Sequence, residues 1–188
     1  MTDKKHGPWT IVKRNLVYQD PWIRLEQDDV IRPDGAPGSY CVAHVKPGVC
    51  VLAVGDGGQC FLTREFHYGV GRVTVECVSG GIDEGESVAT TAKRELIEEL
   101  GIRAATWVEL GCVDPFTANV VSPTSLFLTM GLAFEEAQPE GTELIERVSM
   151  PINEAVRQVL ASEITHAPSC DLILRAAIHL GKFTVAAD

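Results

Sequence analysis

Apolar and polar positions alternate with a period of two over residues 10–18, 22–32 and 40–46, which predicts three strands. The PDGAPG stretch at 33–38 has turn composition, so the last two form a hairpin and the three make a small N-terminal β unit. A second hairpin is predicted from Gly48–Val54 and Gln59–Glu65 around the sequence GDGG, followed by a strand over Arg72–Val78. The period then changes. Val88, Ala92, Leu96 and Leu100 recur every four residues, the spacing of a buried helical stripe. Ser87 suits the N-cap of that helix and Gly101 the left-handed position that ends it. Further strands are expected near 106–113, 124–134 and 144–150, the polar loop EEAQPEGTE at 135–143, and helices at about 152–161 and 168–180. No internal repeat or long biased tail interrupts this order.

The helix over residues 88–100 carries the chemistry. With Glu95 as i, Glu98 is i+3 and Glu99 is i+4, so three carboxylates fall on adjacent turns of one face and repel unless a cation sits among them. An all-oxygen set of this kind suits a hard divalent ion such as Mg²⁺, which keeps several waters and is shared with substrate phosphates. Just upstream, Gly80, Gly81 and Gly85 allow the backbone to approach a phosphate or a metal closely.

Composition narrows the partners. At 188 residues the chain is long enough for one well-buried domain and too short for two ordinary ones. A formal net charge of −10 argues against binding a nucleic acid polymer, which requires a basic surface. A small metal-complexed nucleotide stays compatible, because local cations outweigh the net sum. The first nine residues, MTDKKHGPW, contain no apolar signal core, and no stretch has the length of a membrane span, so a cytoplasmic protein without a membrane partner is expected. The six cysteines lack CxxC or zinc spacing and read as buried, reduced thiols.

Gly80, five residues, Glu86, seven residues, then Arg94-Glu95-Leu96, one residue, Glu98-Glu99, one residue and Gly101-Ile102 resembles the Nudix box at every defined position. The resemblance implies an α+β fold, the Nudix α/β/α sandwich, with an N-terminal antiparallel β subdomain. It implies Mg²⁺ or Mn²⁺ held by Glu95, Glu98 and Glu99 with Ser79, and hydrolysis of a nucleoside diphosphate linked to another moiety. Arg94 resembles the arginine that, with Glu86, braces the loop against the helix, and it joins Glu98 and Glu99 among the expected catalytic residues. The catalytic base of the family branch comes from the loop after the last long strand, where Glu143 aligns best and Glu140 and Glu146 are alternatives.

The runs VYQDPWIRLEQDDVIRPDG, REFHYGVGRVTVE and ITHAPSCDLILRAA look like the ADP-ribose pyrophosphatase branch, so the resemblance covers most of the chain. It implies a homodimer in which residues 1–46 form a dimerisation and substrate-wall subdomain, with the hydrolase domain over 47–188. Substrate contacts are expected from Trp22, Arg64, His67, Arg72, Gly80 and Gly81, with Trp22 stacking on the base. Three places depart from the branch: Cys77-Val78-Ser79 replaces its x-Pro-Ala, His67 replaces its arginine, and the loop from Pro115 to Ser122 has its own sequence. Pyrophosphate cleavage is therefore better supported than ADP-ribose as the particular substrate. Two other readings stand beside it: a Nudix-fold sensor without turnover, and a hydrolase of oxidised nucleotides, dinucleoside polyphosphates or coenzyme A. All box glutamates are present and no effector region is added, which favours the enzyme.

Overall fold

The computed structural model describes residues 4–138, 141 and 144–182. The chain divides into two compact units, Met1–Pro47 with Asp114–Pro123, and Gly48–Val113 with Thr124–Asp188.

In the first unit, β1 (Lys4–His6), β2 (Trp9–Gln19), β3 (Ile23–Ile31) and β4 (Pro37–Val45) form an antiparallel sheet in chain order. β2 is bulged between Ile11 and Lys13 and again between Leu16 and Tyr18. Each bulge inserts one residue opposite its partner strand, which bends the strand and increases its twist. Asp28 and Glu26 on β3 are buried, and Arg14 from β2 holds Asp28 with two hydrogen bonds of 2.9 and 3.0 Å. His44 Nε2 lies 3.0 Å from Glu26. The segment after residue 113 adds a two-residue strand, β10 (Val120–Val121), parallel to β4. It is secured by a hydrogen bond from the Ala43 amide to the Asn119 carbonyl. The expected all-antiparallel N-terminal unit thus gains one parallel edge from a distant segment, a pairing of two residues that local periodicity does not reveal.

The second unit contains β5 (Gly48–Val54), β6 (Gln59–His67), β7 (Arg72–Glu76), β8 (Val78–Gly81), β9 (Ile102–Val113), β11 (Thr124–Phe134) and β12 (Glu146–Pro151). Its helices are α1 (Val88–Leu100), α2 (Ile152–Leu160) and α3 (Ala167–His179). β5 lies at the centre and its alternate residues face opposite ways. Val49, Val51 and Ala53 pack with Phe127 of β11 and with Ala92, Leu96 and Leu100 of α1. Cys50, Leu52 and Val54 pack with Leu126 and Leu128 of β11, Ala155 of α2 and Leu172, Ile173 and Ala176 of α3. A strand buried on both faces between helices is the α/β/α sandwich, as expected.

The predicted single strand over Arg72–Val78 is in fact two. β7 pairs with β6, whereas β8 pairs with β5, and the chain changes partner at Cys77. The Cys77 amide donates to Ser169 Oγ of α3 at 2.9 Å, which satisfies it without a strand neighbour at the crossing point. β5 and β6 pair only at Ala53 with Phe61 and Val54 with Cys60, beside their turn, so the sheet splits there.

Two other expectations are corrected. Val88 does not join the buried stripe, being 36% exposed in the first turn of α1. Cys41 and Cys112 are exposed; Cys50, Cys60 and Cys77 are buried. Burial raises the Cys60 thiol to about 11, because an ionised sulfur would lose its hydration there. No helix among the described residues is long and apolar enough to cross a membrane.

Leu96 is fully buried where α1 meets β5. Leu96→Ala should destabilise the fold by about 2–5 kcal/mol through lost burial and a residual cavity. Urea denaturation checks this, and a loss below about 1 kcal/mol would show that the helix is not anchored by this face.

Candidate active site

α1 begins and ends as its sequence dictates. The Ser87 hydroxyl accepts the Thr90 amide at 3.1 Å, and Gly101 adopts φ 61° and ψ 41° with its amide on the Ile97 carbonyl at 2.8 Å. Glycine is required at that end for a second reason, since a Cβ there would overlap the Glu135 carbonyl. The apolar stripe seats the helix, and its carboxylates sit at the margin of the core. Glu99 is 9% exposed, and the side chains of Glu95 and Glu98 are 13% and 31% exposed.

Arg94 organises these carboxylates. Its Nε and Nη2 donate to the two oxygens of Glu86 at 3.1 and 3.0 Å, a bidentate pairing. Nη1 lies 2.8 Å from Glu98 and 2.9 Å from Glu95. Asp83 stands 4.0 Å from Nη2. The Thr91 hydroxyl, buried under the helix, donates to Glu86 at 2.9 Å. The Arg94 hydrogen bonds, followed by that of Thr91, hold the Glu86 carboxyl down at about 2. The guanidinium is in turn stabilised in its charged form, above all by Glu86. Arg94 and Glu86, the pair expected to brace the loop, are thus hydrogen-bonded to each other, with Thr91 as a further partner of Glu86 that no spacing in the sequence marks.

Gly80 on β8 faces this group. A Cβ at Gly80 would overlap the Glu95 carboxylate, so the bare backbone is what lets that side chain lie over the strand. Ser79 and Gly81 flank it, paired with Cys50 and Gly48 of β5. Glu95 and Glu98 both turn to Arg94, and among the described residues no three His, Cys, Asp or Glu side chains stand ready as a metal cage. The donor chemistry nevertheless fits a hard divalent cation: the donors are carboxylate oxygens on successive turns, beside a strand whose glycine admits close approach. One guanidinium among these carboxylates leaves net negative charge.

The other expected substrate residues are placed as follows. Arg64, exposed on β6, lies 3.5 Å from Glu146 of β12. Arg72 donates to the Thr165 hydroxyl at 2.7 Å. His67 Nδ1 is 2.8 Å from the Thr74 hydroxyl and 3.8 Å from Glu76. Glu76, itself buried, accepts from Thr74 at 2.6 Å and lies 3.1 Å from His166 Nδ1. His166, which no motif in the sequence marks, also meets Ser169 at 2.8 Å, linking Glu76 to the strand crossing at Cys77. Its pKa is lowered, chiefly by burial, with Glu76 opposing. Trp22 belongs to the first unit, in the turn between β2 and β3, and is 69% exposed, so it is not a core residue. Glu143 and Glu140 lie outside the described residues.

Residues 44–169 match the family model described as the NUDIX domain, and residues 9–42 match that of the nucleoside diphosphate sugar hydrolase N-terminal domain. The chain is 34% identical over 149 residues to an ADP-ribose pyrophosphatase of Mycobacterium tuberculosis, spanning 76% of this chain and 70% of that protein. An ADP-ribose pyrophosphatase of Bacillus subtilis is 26% identical, over 83% of this chain and 85% of its own length. An ADP-sugar pyrophosphatase of Mus musculus is 24% identical, over 84% and 80%. A solved structure described as an ADP compounds hydrolase superposes with a TM-score of 0.79 at 22% identity, covering 95% of this chain and 97% of that one.

The Glu86 carboxyl is held at about 2 against an ordinary 4.5, so its pairing stabilises the fold above pH 4.5 and that contribution fades as the pH falls towards 2. In urea titrations, the stability difference between wild type and Glu86→Gln should stay constant above pH 4.5 and shrink between 4.5 and 2. A difference that is flat across that window would exclude the pairing.

Proposed function

The chain belongs to the Nudix family, and from that premise we propose that it hydrolyses the pyrophosphate bond of a nucleoside diphosphate linked to another moiety, ADP-ribose or a nucleotide sugar. The products are a nucleoside monophosphate and a phosphorylated partner. The observation that carries this reading is the intact box constellation: Glu95 and Glu98 on Arg94, Arg94 bidentate to Glu86, and the helix seated against Gly80. The match of residues 9–42 to a nucleoside diphosphate sugar hydrolase N-terminal domain supports the substrate class, as do the relatives named for ADP-ribose and ADP-sugars.

We assign Glu95, Glu98 and Glu99, with Ser79, to holding Mg²⁺ or Mn²⁺. When bound, the ion offsets charge on the phosphate oxygens and lowers the proton affinity of a coordinated water. Arg94 keeps Glu86 and Glu98 in place and sets the spacing of the helix carboxylates. Glu143 is assigned to accept the proton of the attacking water, since carboxylates engaged with a cation are poor bases. Gly80 and Gly81 offer backbone that a phosphate can approach. Arg64, Arg72 and His67 are assigned to the substrate, and the exposed ring of Trp22 to stacking on a base. The protein acts as a homodimer in the cytoplasm.

Purified enzyme given ADP-ribose, UDP-glucose, GDP-mannose, NADH, diadenosine polyphosphates and 8-oxo-dGTP should turn over ADP-ribose or a nucleotide sugar fastest. Glu98→Gln should lower turnover by orders of magnitude without unfolding the protein, and Glu143→Gln should lower kcat about 10²-fold or more with little change in KM. Near-normal activity of Glu98→Gln in Mg²⁺ would falsify the metal assignment. If Glu143→Gln is silent and Glu140→Gln or Glu146→Gln is crippled, the base is that glutamate instead.

The dimer has its own test. Val12, Leu16, Val17, Tyr18 and Trp22 of the first unit are exposed, an apolar set suited to a second copy. Light scattering at micromolar concentration should give twice the chain mass, and a monomer would sink the assignment.

A further inference from the structure

The C-terminal end of α1 is closed by groups that lie outside the box. A helix leaves its last carbonyls without intrahelical donors, and its macrodipole makes that end negative, yet α1 has no basic residue in its last turn. The turn also carries Glu98 and Glu99, so two carboxylates add to the negative end. Three donors meet it from elsewhere in the same unit. The Gln138 amide donates to the Glu98 carbonyl at 2.9 Å, and the Glu135 amide to the Gly101 carbonyl at 2.8 Å. The third is Arg147 of β12, whose Nη1 donates to the Leu100 carbonyl at 2.9 Å.

Arg147 is the charged member of this set, and its own position is fixed from two sides. Its backbone pairs with Thr63 of β6. Its guanidinium lies 5.4 Å from the centre of the Phe134 ring, within cation–π range, and Phe134 meets Phe61 edge-on at 5.1 Å. The planar guanidinium thus lies against an aromatic face while one N–H reaches the helix end, a combination that an ammonium does not reproduce.

We propose that Arg147 is a positioning residue for the hydrolytic site: by closing the last carbonyl of α1 from β12, it holds the turn carrying Glu98 and Glu99 in the arrangement that binds the divalent cation. This rests on the assignment of those glutamates above. Arg147 acts through the helix end, to which its Nη1 is hydrogen-bonded.

The experiment compares wild type, Arg147→Met, which keeps the apolar stem, and Arg147→Lys, which keeps the charge, each as the full chain. Mn²⁺ binding is measured by titration calorimetry without nucleotide, and amide hydrogen exchange is followed in α1. Arg147→Met should exchange about tenfold faster in the last turn of α1, as expected when one charge-assisted hydrogen bond is lost. It should also bind Mn²⁺ several-fold more weakly, while exchange in α3 stays as in wild type. Arg147→Lys should recover part of both effects. Wild-type exchange in the last turn, or wild-type Mn²⁺ affinity, in Arg147→Met would overturn the proposal, as would equal acceleration across α1 and α3, the mark of a general loss of stability. Should wild type itself bind no Mn²⁺, the metal assignment of the box glutamates fails, and this proposal with it.

Discussion

One guanidinium set among carboxylates is the interaction on which the site depends. Arg94 reaches Glu86 with two parallel hydrogen bonds and still turns Nη1 toward Glu95 and Glu98. Only arginine has a planar fork with enough donors for this; the single ammonium of lysine could not span both the loop glutamate and the helix pair. The consequence is mechanical as well as electrostatic. Glu86 precedes the helix and Glu98 lies near its end, so one side chain ties the entry loop to the third turn. The charge it supplies is smaller than the charge it faces, so net negative potential remains along this edge of α1.

Such a helix face would be unfavourable alone, and the sandwich supplies what it lacks. Ala92, Leu96 and Leu100 are fully buried against β5, so hydrophobic contact holds α1 in place despite repulsion along its edge. On the other side of the same strand, α2 and α3 cover Cys50, Leu52 and Val54. The partner exchange at Cys77 belongs to this frame. Because the chain leaves β6 and joins β5 there, Ser79, Gly80 and Gly81 run beside the strand that α1 packs on. Ser169 of α3 holds the crossing point, so a residue in the far layer helps to set the strand under the carboxylates.

What could be read in the sequence was what is local along the chain. The Ser87 cap, the Gly101 terminus, the box spacing and the apolar stripe all lie within one helix and its flanks, where periodicity and capping rules apply directly. The strands β5, β6 and β11 were likewise visible as apolar runs bounded by turns. The exceptions share a cause. β10 is two residues paired with a strand far away in sequence, the break at Cys77 depends on a hydroxyl 92 residues later, and Val88 is exposed because a first-turn position lies off the covered face. Thr91 and Arg147 make contacts that no spacing encodes, the first from the buried face of α1 to Glu86 and the second from β12 to the last carbonyl of α1.

A second polar network stands apart from α1 and its carboxylates. His67 on β6 is engaged by the Thr74 hydroxyl of β7. Glu76, buried nearby, is met by the Thr74 hydroxyl and by His166. A buried carboxylate needs such donors, because its desolvation is otherwise uncompensated. The contacts run from His67 through Glu76 and His166 to Ser169 and the strand crossing at Cys77. None of these residues belongs to the box. The carboxylates held by Arg94 and the network around Glu76 share no residue, so a substitution in one leaves the direct contacts of the other in place.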